Sequence, residues 1–302
     1  MTINRRRAPS SKISSEKKLS GHRREQNYAS LIGGKVIGGT QKGDVKDKNG
    51  DLHSVKSGKK WQVFLYGYNR ICNSSYLSIL QPCLDAFPED SNQYFEDRIK
   101  CIAFKEAYVE AHGRNATKSL SNNDVAKHLG ANTYVESKNQ LATTTSSTCN
   151  TLNNKANLRN FLDEALFNND EVKYLAIKDS TYKKDGLFKV FAKEDVLDIL
   201  TAKLFPSVSI AGRVPVDYNV AGQKTLLCYK KTARQTKNIV EIEIRNDSSV
   251  HYRQVRFNMY SKDALSLLLE APQCIASSPL GEHIVVYGQA IKTFIEKKMD
   301  IK

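Results

Sequence analysis

The sequence predicts an α/β fold with a strand-rich C-terminal portion. Helical and strand-like periodicities alternate along the chain, and the last hundred residues contain four strand-like segments: SVSIAGRVPV, TLLCYKK, NIVEIEIRND and VHYRQVRFNMY. The chain has 302 residues, of which 40% are hydrophobic and 26% are charged. This length and this composition are those of a globular protein with a sizeable core.

Composition divides the chain into four segments. Residues 1–20 are basic and poor in apolar residues, so we expect a disordered arm there. Residues 21–141 combine a compact α/β pattern with a mostly helical stretch. The run at 142–156 is rich in Ser, Thr and Asn, which predicts a loop or linker. Residues 157–302 are predicted to form an α/β C-terminal portion.

The segment that begins at Gly21 predicts a helix, a strand, a turn, a strand and a second helix. HRREQNYASLI places Glu25, Tyr28 and Ile32 on one helix face, and the glycines of GGKVIGG end that helix. QKGDV and LHSVK are short strands, and the Asn-Gly dipeptide between them is typical of a hairpin turn. The apolar stretch KKWQVFLYGYNRI is predicted to be the second helix.

Charge gives the first functional indication. The chain has 46 basic and 32 acidic residues, a net charge of +14 and an isoelectric point near 9.4. Such an excess favours a polyanionic partner, because neutralising phosphates releases condensed counterions. Through Arg24 the chain has eight basic residues and one acidic residue. The N-terminal arm is therefore either a phosphate-binding extension or a solvated tail.

Several classes of protein are disfavoured by the sequence. We find no apolar stretch long enough for a membrane span and no signal peptide, so we expect a cytoplasmic protein. The six cysteines are scattered without a CxxC pair, which argues against a structural zinc site and a disulfide framework. We expect them to be buried thiols. No HExxH motif and no phosphate-binding loop are present.

Asp44 and Lys56, on the two strands of the predicted hairpin, carry the most informative chemical pattern. Phosphodiester hydrolysis needs an activated water and stabilisation of negative charge, which a carboxylate-bound Mg²⁺ and a neighbouring lysine supply. We therefore interpret Asp44 as a metal ligand, Lys56 as the group that orients the water, Glu25 as a second metal ligand and Gln62 as an assisting amide. The alternatives are a turn-capping Asp44, a solvated Lys56 and a surface Glu25 in an i, i+4 pair.

Residues 25–66, EQNYASLIGG…KGDVKDKNGDLHSVKSGKKWQVFLY, resemble the PD-(D/E)XK nucleases and, within them, the Type II restriction endonucleases. The resemblance lies in the order of a helix with Glu, a strand with Asp, a strand ending in XK, and a helix. It implies a PD-(D/E)XK-type core with a central mixed β-sheet flanked by helices. It also implies Mg²⁺ as cofactor and cleavage that leaves 5′-phosphate and 3′-hydroxyl ends.

The same resemblance implies double-stranded DNA as the substrate and a homodimer if the recognition site is palindromic. A DNA methyltransferase of the same system would be a functional partner. Residues 21–141 would then hold the N-terminal part of the nuclease core with a helical insertion, and residues 157–302 would serve target recognition and dimerisation. The alternatives are a homing or recombination nuclease with the same core, and a non-catalytic basic DNA- or RNA-binding protein.

Two features depart from the family pattern. The acid expected two residues before the lysine is Ser54 here, so a carboxylate must come from Glu25, Asp85 or Glu89. A two-residue Asn49-Gly50 turn would also leave Asp44 and Lys56 on opposite faces of the hairpin. We therefore predict a bulge or an odd-length loop, for instance Asn49-Gly50-Asp51.

Sequence-specific cleavage also requires contacts with base edges. The segments NIVEIEIRND and VHYRQVRFNMY predict an exposed β-ribbon whose Arg and Gln side chains could read bases in the major groove. The alternative is an amphipathic hairpin with cross-strand charge pairs. We expect His53 to be a surface or DNA-contacting residue and not a metal ligand. The residues that we predict to contact DNA are Arg245, Tyr252, Arg253, Gln254, Arg256, Lys59 and Lys60.

Overall fold

The computed structural model describes residues 11–37, 42–113, 115–116, 122–179, 187–209, 224–232, 234–246 and 248–296. Within them the protein is α/β, with a seven-stranded mixed sheet and a five-stranded antiparallel sheet. The chain divides into two compact units. Unit 1 comprises Met1–Trp61, Leu166–Ile199 and Ala264–Lys302, and unit 2 comprises Gln62–Ala165 and Leu200–Asp263.

Helices and strands follow one another from the N-terminus to the C-terminus. The helices are α1 (Ser11–Ile32), α2 (Tyr68–Cys72), α3 (Gln81–Asp85), α4 (Ser91–His112), α5 (Asn122–Leu129), α6 (Asn132–Leu152), α7 (Lys155–Phe167), α8 (Lys193–Lys203) and α9 (Ser261–Leu269). The strands are β1 (Lys35–Val36), β2 (Val45–Lys46), β3 (Leu52–Lys56), β4 (Lys60–Gly67), β5 (Tyr174–Lys178), β6 (Phe188–Ala192), β7 (Phe205–Ser209), β8 (Lys224–Thr232), β9 (Gln235–Arg245), β10 (Gln254–Tyr260), β11 (Ser277–Pro279) and β12 (Ile284–Tyr287). Short 3-10 helices lie at Leu77–Leu80, Ser249–His251 and Pro272–Cys274, and a π-helix lies at Ile291–Glu296.

Unit 1 contains the mixed sheet, with the strand order β1-β2-β3-β5-β6-β12-β11. β3 pairs with β5 in parallel, and so does β6 with β12, while the other neighbours are antiparallel. The four residues Tyr174–Ile177 of β5 are all buried, which is expected of a strand whose two faces are both covered.

One face of this sheet packs against α1 and the C-terminal π-helix. Tyr28, Ala29 and Ile32 of α1 are buried, as the predicted helix face requires. The ring of Tyr28 lies 4.9 Å from that of Phe188 on β6. The other buried side chains of this core are Val45, Val55, Tyr174, Ala176, Val190, Ala192, Ile284, Val286, Ala290 and Phe294.

Unit 2 contains the antiparallel sheet, with the strand order β4-β10-β9-β8-β7, together with helices α2 to α6 and most of α7. Aromatic side chains form part of its core. Phe257 of β10 is fully buried, 5.2 Å from the ring of Phe64 on β4 and 6.0 Å from that of Phe161 on α7. β9 and β10 pair antiparallel, as the predicted hairpin requires, but most of their paired residues are buried, so the prediction that this ribbon is exposed is wrong.

The prediction of a second helix is wrong for the first part of its segment, which forms strand β4. Trp61 and Val63 are buried while Lys60 and Gln62 are exposed, which is the period of two expected of a strand. The segment then turns helical only at Tyr68, where α2 begins. A short apolar run fits either structure, and here pairing with β10 decides the outcome.

Two predicted irregular segments are also helical. The predicted loop at 142–156 lies largely in α6, where Thr144, Thr145 and Ser146 donate hydrogen bonds to main-chain carbonyls four residues earlier. Such bonds satisfy hydroxyl groups inside a helix, so a run of Ser and Thr does not have to end one. In the predicted disordered arm, residues 1–10 lie outside the described part of the chain, while α1 begins at Ser11.

Two expectations drawn from composition find support in the described residues. All six cysteines are free thiols, and all but Cys72 are buried. No helix in the described ranges is both long enough and apolar enough to span a membrane.

Replacement of Phe188 by Ala should lower the free energy of unfolding by about 3–5 kcal/mol, because it removes a fully buried ring from the core of unit 1. Ile275→Ala is the control, since that side chain is 77% exposed and should change stability by no more than about 0.5 kcal/mol. Urea denaturation followed by circular dichroism measures both. Equal losses in the two variants would contradict the described core.

Candidate functional site

The hairpin between β2 and β3 closes through a three-residue loop, Lys48–Gly50. The Asp47 N–H donates to the carbonyl of Asp51 at 3.0 Å, and Val45 pairs with His53. The predicted odd-length loop is therefore confirmed. It begins and ends one residue earlier than the predicted example, Asn49-Gly50-Asp51. Asp47 also determines its shape, because Oδ1 accepts the backbone N–H groups of Asn49 and Asp51 at 2.9 and 3.0 Å.

The odd loop brings Asp44 and Lys56 to the same side of the hairpin. Lys56 Nζ lies 3.3 Å from Asp44 Oδ2, which also accepts the Val55 N–H at 2.6 Å and the Ser54 hydroxyl at 3.3 Å. The side chains of Asp44 and Lys56 are 23% and 16% exposed, so the pair is accessible to solvent from one side. Ser54 holds the Asp44 carboxylate and supplies no acid of its own.

The three donors all approach one oxygen of Asp44. Its other oxygen, Oδ1, accepts no hydrogen bond in the part of the chain that the structure describes. An ionised carboxylate oxygen without a protein donor is suited to bind a hard divalent cation. The site therefore presents one carboxylate oxygen without a described donor, in a fixed orientation beside a lysine.

Glu25, the predicted second metal ligand, is not brought to this pair. Its carboxylate accepts from His22 Nδ1 at 3.1 Å, one turn earlier on α1, and it contacts neither Asp44 nor Lys56 among the described residues. Sequence periodicity alone cannot distinguish an acid at the rim of a helix face from one within it. In the described ranges no group of three or more His, Cys, Asp or Glu side chains is placed to hold a metal ion.

The other predicted members of the site belong to unit 2. Gln62 is an exposed residue of strand β4 instead of a helix residue, which corrects its predicted setting. Asp85 accepts hydrogen bonds from Tyr68 Oη at 2.7 Å and Arg253 Nη2 at 3.1 Å. Glu89 is exposed. These three residues therefore lie in a different unit from Asp44, and their roles at the site stay predictions.

The opposite face of the hairpin contains a buried hydrogen-bonded chain that the sequence did not reveal. His53 is fully buried, which corrects its expected surface position. Its Nε2 lies 3.3 Å from Asp47 Oδ2, and its Nδ1 lies 3.0 Å from Tyr28 Oη. An ionised carboxylate only accepts, so Nε2 carries the proton and Nδ1 accepts from the tyrosine. These two hydrogen bonds join the hairpin loop to α1.

Burial shifts the pKa values of these three hydrogen-bonded side chains in different directions. It lowers the pKa of His53 below 6.5, although Asp47 partly opposes the shift. It raises the pKa of Tyr28 well above 10, with the charge of Asp47 adding to the effect. For Asp47, burial alone would raise the pKa, but the hydrogen bond to His53 and the loop N–H groups outweigh it and lower the pKa. The fold therefore favours neutral His53, neutral Tyr28 and ionised Asp47.

A second acid–base pair, missed by the sequence reasoning, lies on the same sheet face as Lys56. Lys56 pairs with Ile177 on β5, and Ile177 pairs with Lys189 on β6, so these side chains share a face. Lys189 Nζ lies 2.8 Å from the carboxylate of Asp179, which is nearly buried just beyond β5. In the sequence, the signal for this pair was Asp179, an acidic residue that directly follows the strand-like run YLAIK.

Two of the residues predicted to read DNA form contacts within unit 2. Arg256 Nε donates to Glu243 Oε2 at 2.7 Å across the β9–β10 pairing, and Glu243 is fully buried. Arg245 Nη2 lies 2.9 Å from His251 Nδ1 in the turn that joins these strands. The Arg256–Glu243 contact is the cross-strand charge pair that stood as the alternative to DNA contact.

Three more of the predicted DNA-binding residues lie at the start of β10: Tyr252 and Arg253 in the turn before it, and Gln254 as its first residue. Tyr252 donates to the Pro88 carbonyl at 2.8 Å, and Arg253 donates to Asp85. Gln254 donates to a backbone carbonyl in the preceding turn. These contacts leave their side chains half-buried, so they are less available for base contacts than an exposed ribbon would be. Lys59 and Lys60 are exposed, and their predicted contact with DNA stays a prediction.

Acid should destabilise the protein through His53. The unfolded chain takes up a proton on this histidine near pH 6.5, whereas the folded chain resists it. Stability from this group is therefore present above pH 6.5 and is lost as pH falls below it, by up to about 1.4 kcal/mol per pH unit. The thermal midpoint, measured from pH 8 to pH 5, should fall less steeply in His53→Gln than in the wild type.

His22→Gln is the control for this experiment, because His22 is half exposed and paired only with Glu25 among the described contacts. It should retain the wild-type slope of thermal midpoint against pH. A His53→Gln protein with the same slope as the wild type would show that the buried chain does not resist protonation.

Comparison with known proteins gives no family for this chain. No family model matches it. No curated protein and no solved structure is detectably similar to it. The functional interpretation therefore depends on the geometry around Asp44 and Lys56.

Proposed function

We propose that this protein is a Mg²⁺-dependent endonuclease that cleaves double-stranded DNA at specific sites, as Type II restriction enzymes do. The observation that carries the proposal is the position of Lys56 Nζ, 3.3 Å from Asp44 Oδ2 on one face of the β2–β3 hairpin. It is the arrangement that the resemblance to PD-(D/E)XK nucleases requires. The mixed sheet around it, with α1 against one face, agrees with the core that the resemblance implies.

The donor set at Asp44 fits Mg²⁺ in a limited way. Mg²⁺ retains several waters in proteins and is commonly bound by one or two carboxylates together with phosphate oxygens of the substrate. Asp44 would supply one carboxylate, through the oxygen that no described residue occupies. When bound, the ion supplies Lewis acidity and lowers the pKa of a bound water. A second carboxylate is not required if DNA phosphate completes the coordination.

The residues of the hairpin have separate roles in this proposal. Val55 N–H and Ser54 Oγ hold the Asp44 carboxylate in one orientation. Lys56 donates a hydrogen bond to the attacking water and offsets the negative charge that develops on the phosphate. Water attacks phosphorus, the bond to the 3′-oxygen breaks, and the leaving oxygen takes a proton. The products carry 5′-phosphate and 3′-hydroxyl ends.

The net charge of +14 agrees with a DNA substrate. In a restriction enzyme with a palindromic site, the two strands would be cut by two copies of the chain, so we propose a homodimer. A DNA methyltransferase of the same system would protect host sites. A homing or recombination nuclease with the same core is the enzymatic alternative. A defined fragment ladder from phage DNA would separate a restriction enzyme from a structure-selective nuclease.

Lys56→Ala and Asp44→Asn should each reduce DNA cleavage by about 100-fold or more, because each removes one of the two groups at the reacting phosphate. The assay is digestion of unmethylated phage DNA with Mg²⁺, and the wild type should give discrete fragments that are absent with EDTA. Lys292→Ala is the control, because it removes an exposed lysine of the same unit from the π-helix, which packs against the opposite face of the sheet, and it should leave cleavage unchanged.

Circular dichroism should show that all three variants fold. Cleavage that survives Lys56→Ala would place the active site elsewhere. DNA binding by the wild type without any cleavage would favour the non-catalytic alternative.

A further inference from the structure

Two arginines in unit 2 stack on two tyrosines with the same geometry. Arg70 Cζ lies 3.7 Å above the ring centroid of Tyr66, and Arg253 Cζ lies 3.7 Å above that of Tyr68. The tyrosines are two residues apart, at the end of β4 and the start of α2. Stacking on an aromatic face stabilises a guanidinium and restricts its motion. The two pairs differ in how their charge is compensated.

The charge of Arg253 is neutralised within the protein. Its Nη2 donates to Asp85 at 3.1 Å, and Tyr68 donates to the same carboxylate oxygen at 2.7 Å. The arginine side chain is only 15% exposed. Its backbone has a φ of +50°, a conformation that most residues avoid, so the surrounding contacts hold it in place. Arg253 therefore has a structural role.

The charge of Arg70 is not neutralised by the described residues. Arg70 is exposed, its Nη2 donates to Tyr66 Oη at 3.0 Å, and it forms no ion pair anywhere in the described ranges. A guanidinium has five N–H donors, so most of them remain directed to solvent. The stacked cation is therefore available to an external anion.

A column of aromatic rings supports Arg70 from the core of unit 2. Phe257 is fully buried and lies 5.2 Å from Phe64, whose ring stacks on Tyr66 at 4.4 Å and an interplanar angle of 10°. Arg70 is the outermost member of this column. Because the side chain is already ordered by stacking, less conformational entropy is lost when it binds a ligand than for a mobile surface arginine.

We propose that Arg70, stacked on Tyr66, contacts a phosphate of double-stranded DNA. The planar guanidinium matches the oxygens of a phosphate, and arginine contacts to phosphates position proteins on duplexes. Gln62 is exposed and shares the strand face of Phe64 and Tyr66 on the edge strand β4. The choice of DNA as the anion rests on the proposed function, whereas the anion site itself rests on the stack.

The test is fluorescence anisotropy with a labelled DNA duplex in EDTA, where binding is measured without cleavage. Arg70→Ala should weaken binding about three- to tenfold and reduce the slope of log K against log salt by about one. Arg70→Lys, which keeps the charge but loses the planar stacked group, should retain the salt slope and bind with intermediate affinity. Arg234→Ala is the matched control, because it removes an exposed arginine in the β8–β9 turn of the same unit.

Equal effects of Arg70→Ala and Arg234→Ala would overturn the proposal, because they would show that only net charge counts. Stronger, Arg70-dependent binding of single-stranded DNA would overturn the assignment to a duplex. The outcomes also separate a failure of this proposal from a failure of the nuclease proposal. If the wild type does not cleave with Mg²⁺ but binds duplex through Arg70, the phosphate contact stands. If it cleaves and Arg70→Ala binds like the wild type, the nuclease stands and this contact does not.

Discussion

The register of the β2–β3 hairpin is the constraint on which the candidate site depends. Side chains of a strand alternate between the two faces, so a slip of one residue would separate Asp44 from Lys56. The register is determined at the loop, where the Asp47 carboxylate accepts two backbone N–H groups and Gly50 adopts a φ of +89°. Because that φ belongs to the left-handed region, glycine is the residue that adopts it most readily.

The two faces of this hairpin carry different kinds of polar chemistry. On one face, the side chains of Asp44 and Lys56 contact each other and remain partly exposed. On the other, Asp47, His53 and Tyr28 satisfy each other's hydrogen bonds in a site closed to water. Buried polar groups that are fully paired add rigidity to a core. The buried hydrogen bonds among Tyr28, His53 and Asp47 therefore hold strand β3, which carries Lys56, in place.

Several arginines that look like DNA contacts in the sequence form ion pairs with acidic residues of the same unit in the fold. Arg256 neutralises the buried Glu243, and Arg253 neutralises Asp85. An arginine left without such a partner, as Arg70 is among the described residues, is a better candidate for an external anion. Strand alternation indicates which face a side chain occupies, but it does not identify a partner on a neighbouring strand or in a distant turn.

The sequence by itself determined the α/β class, the buried face of α1 through Tyr28 and Ile32, and the pairing of Asp44 with Lys56 through an odd loop. These follow from local periodicity and from the geometry of one short hairpin. Tertiary structure alone decided that β4 is a strand and that His53 is buried, because both depend on residues far away in the chain. It also decided that Glu25 contacts neither Asp44 nor Lys56 among the described residues, which leaves this carboxylate its local contact with His22 one turn earlier on α1.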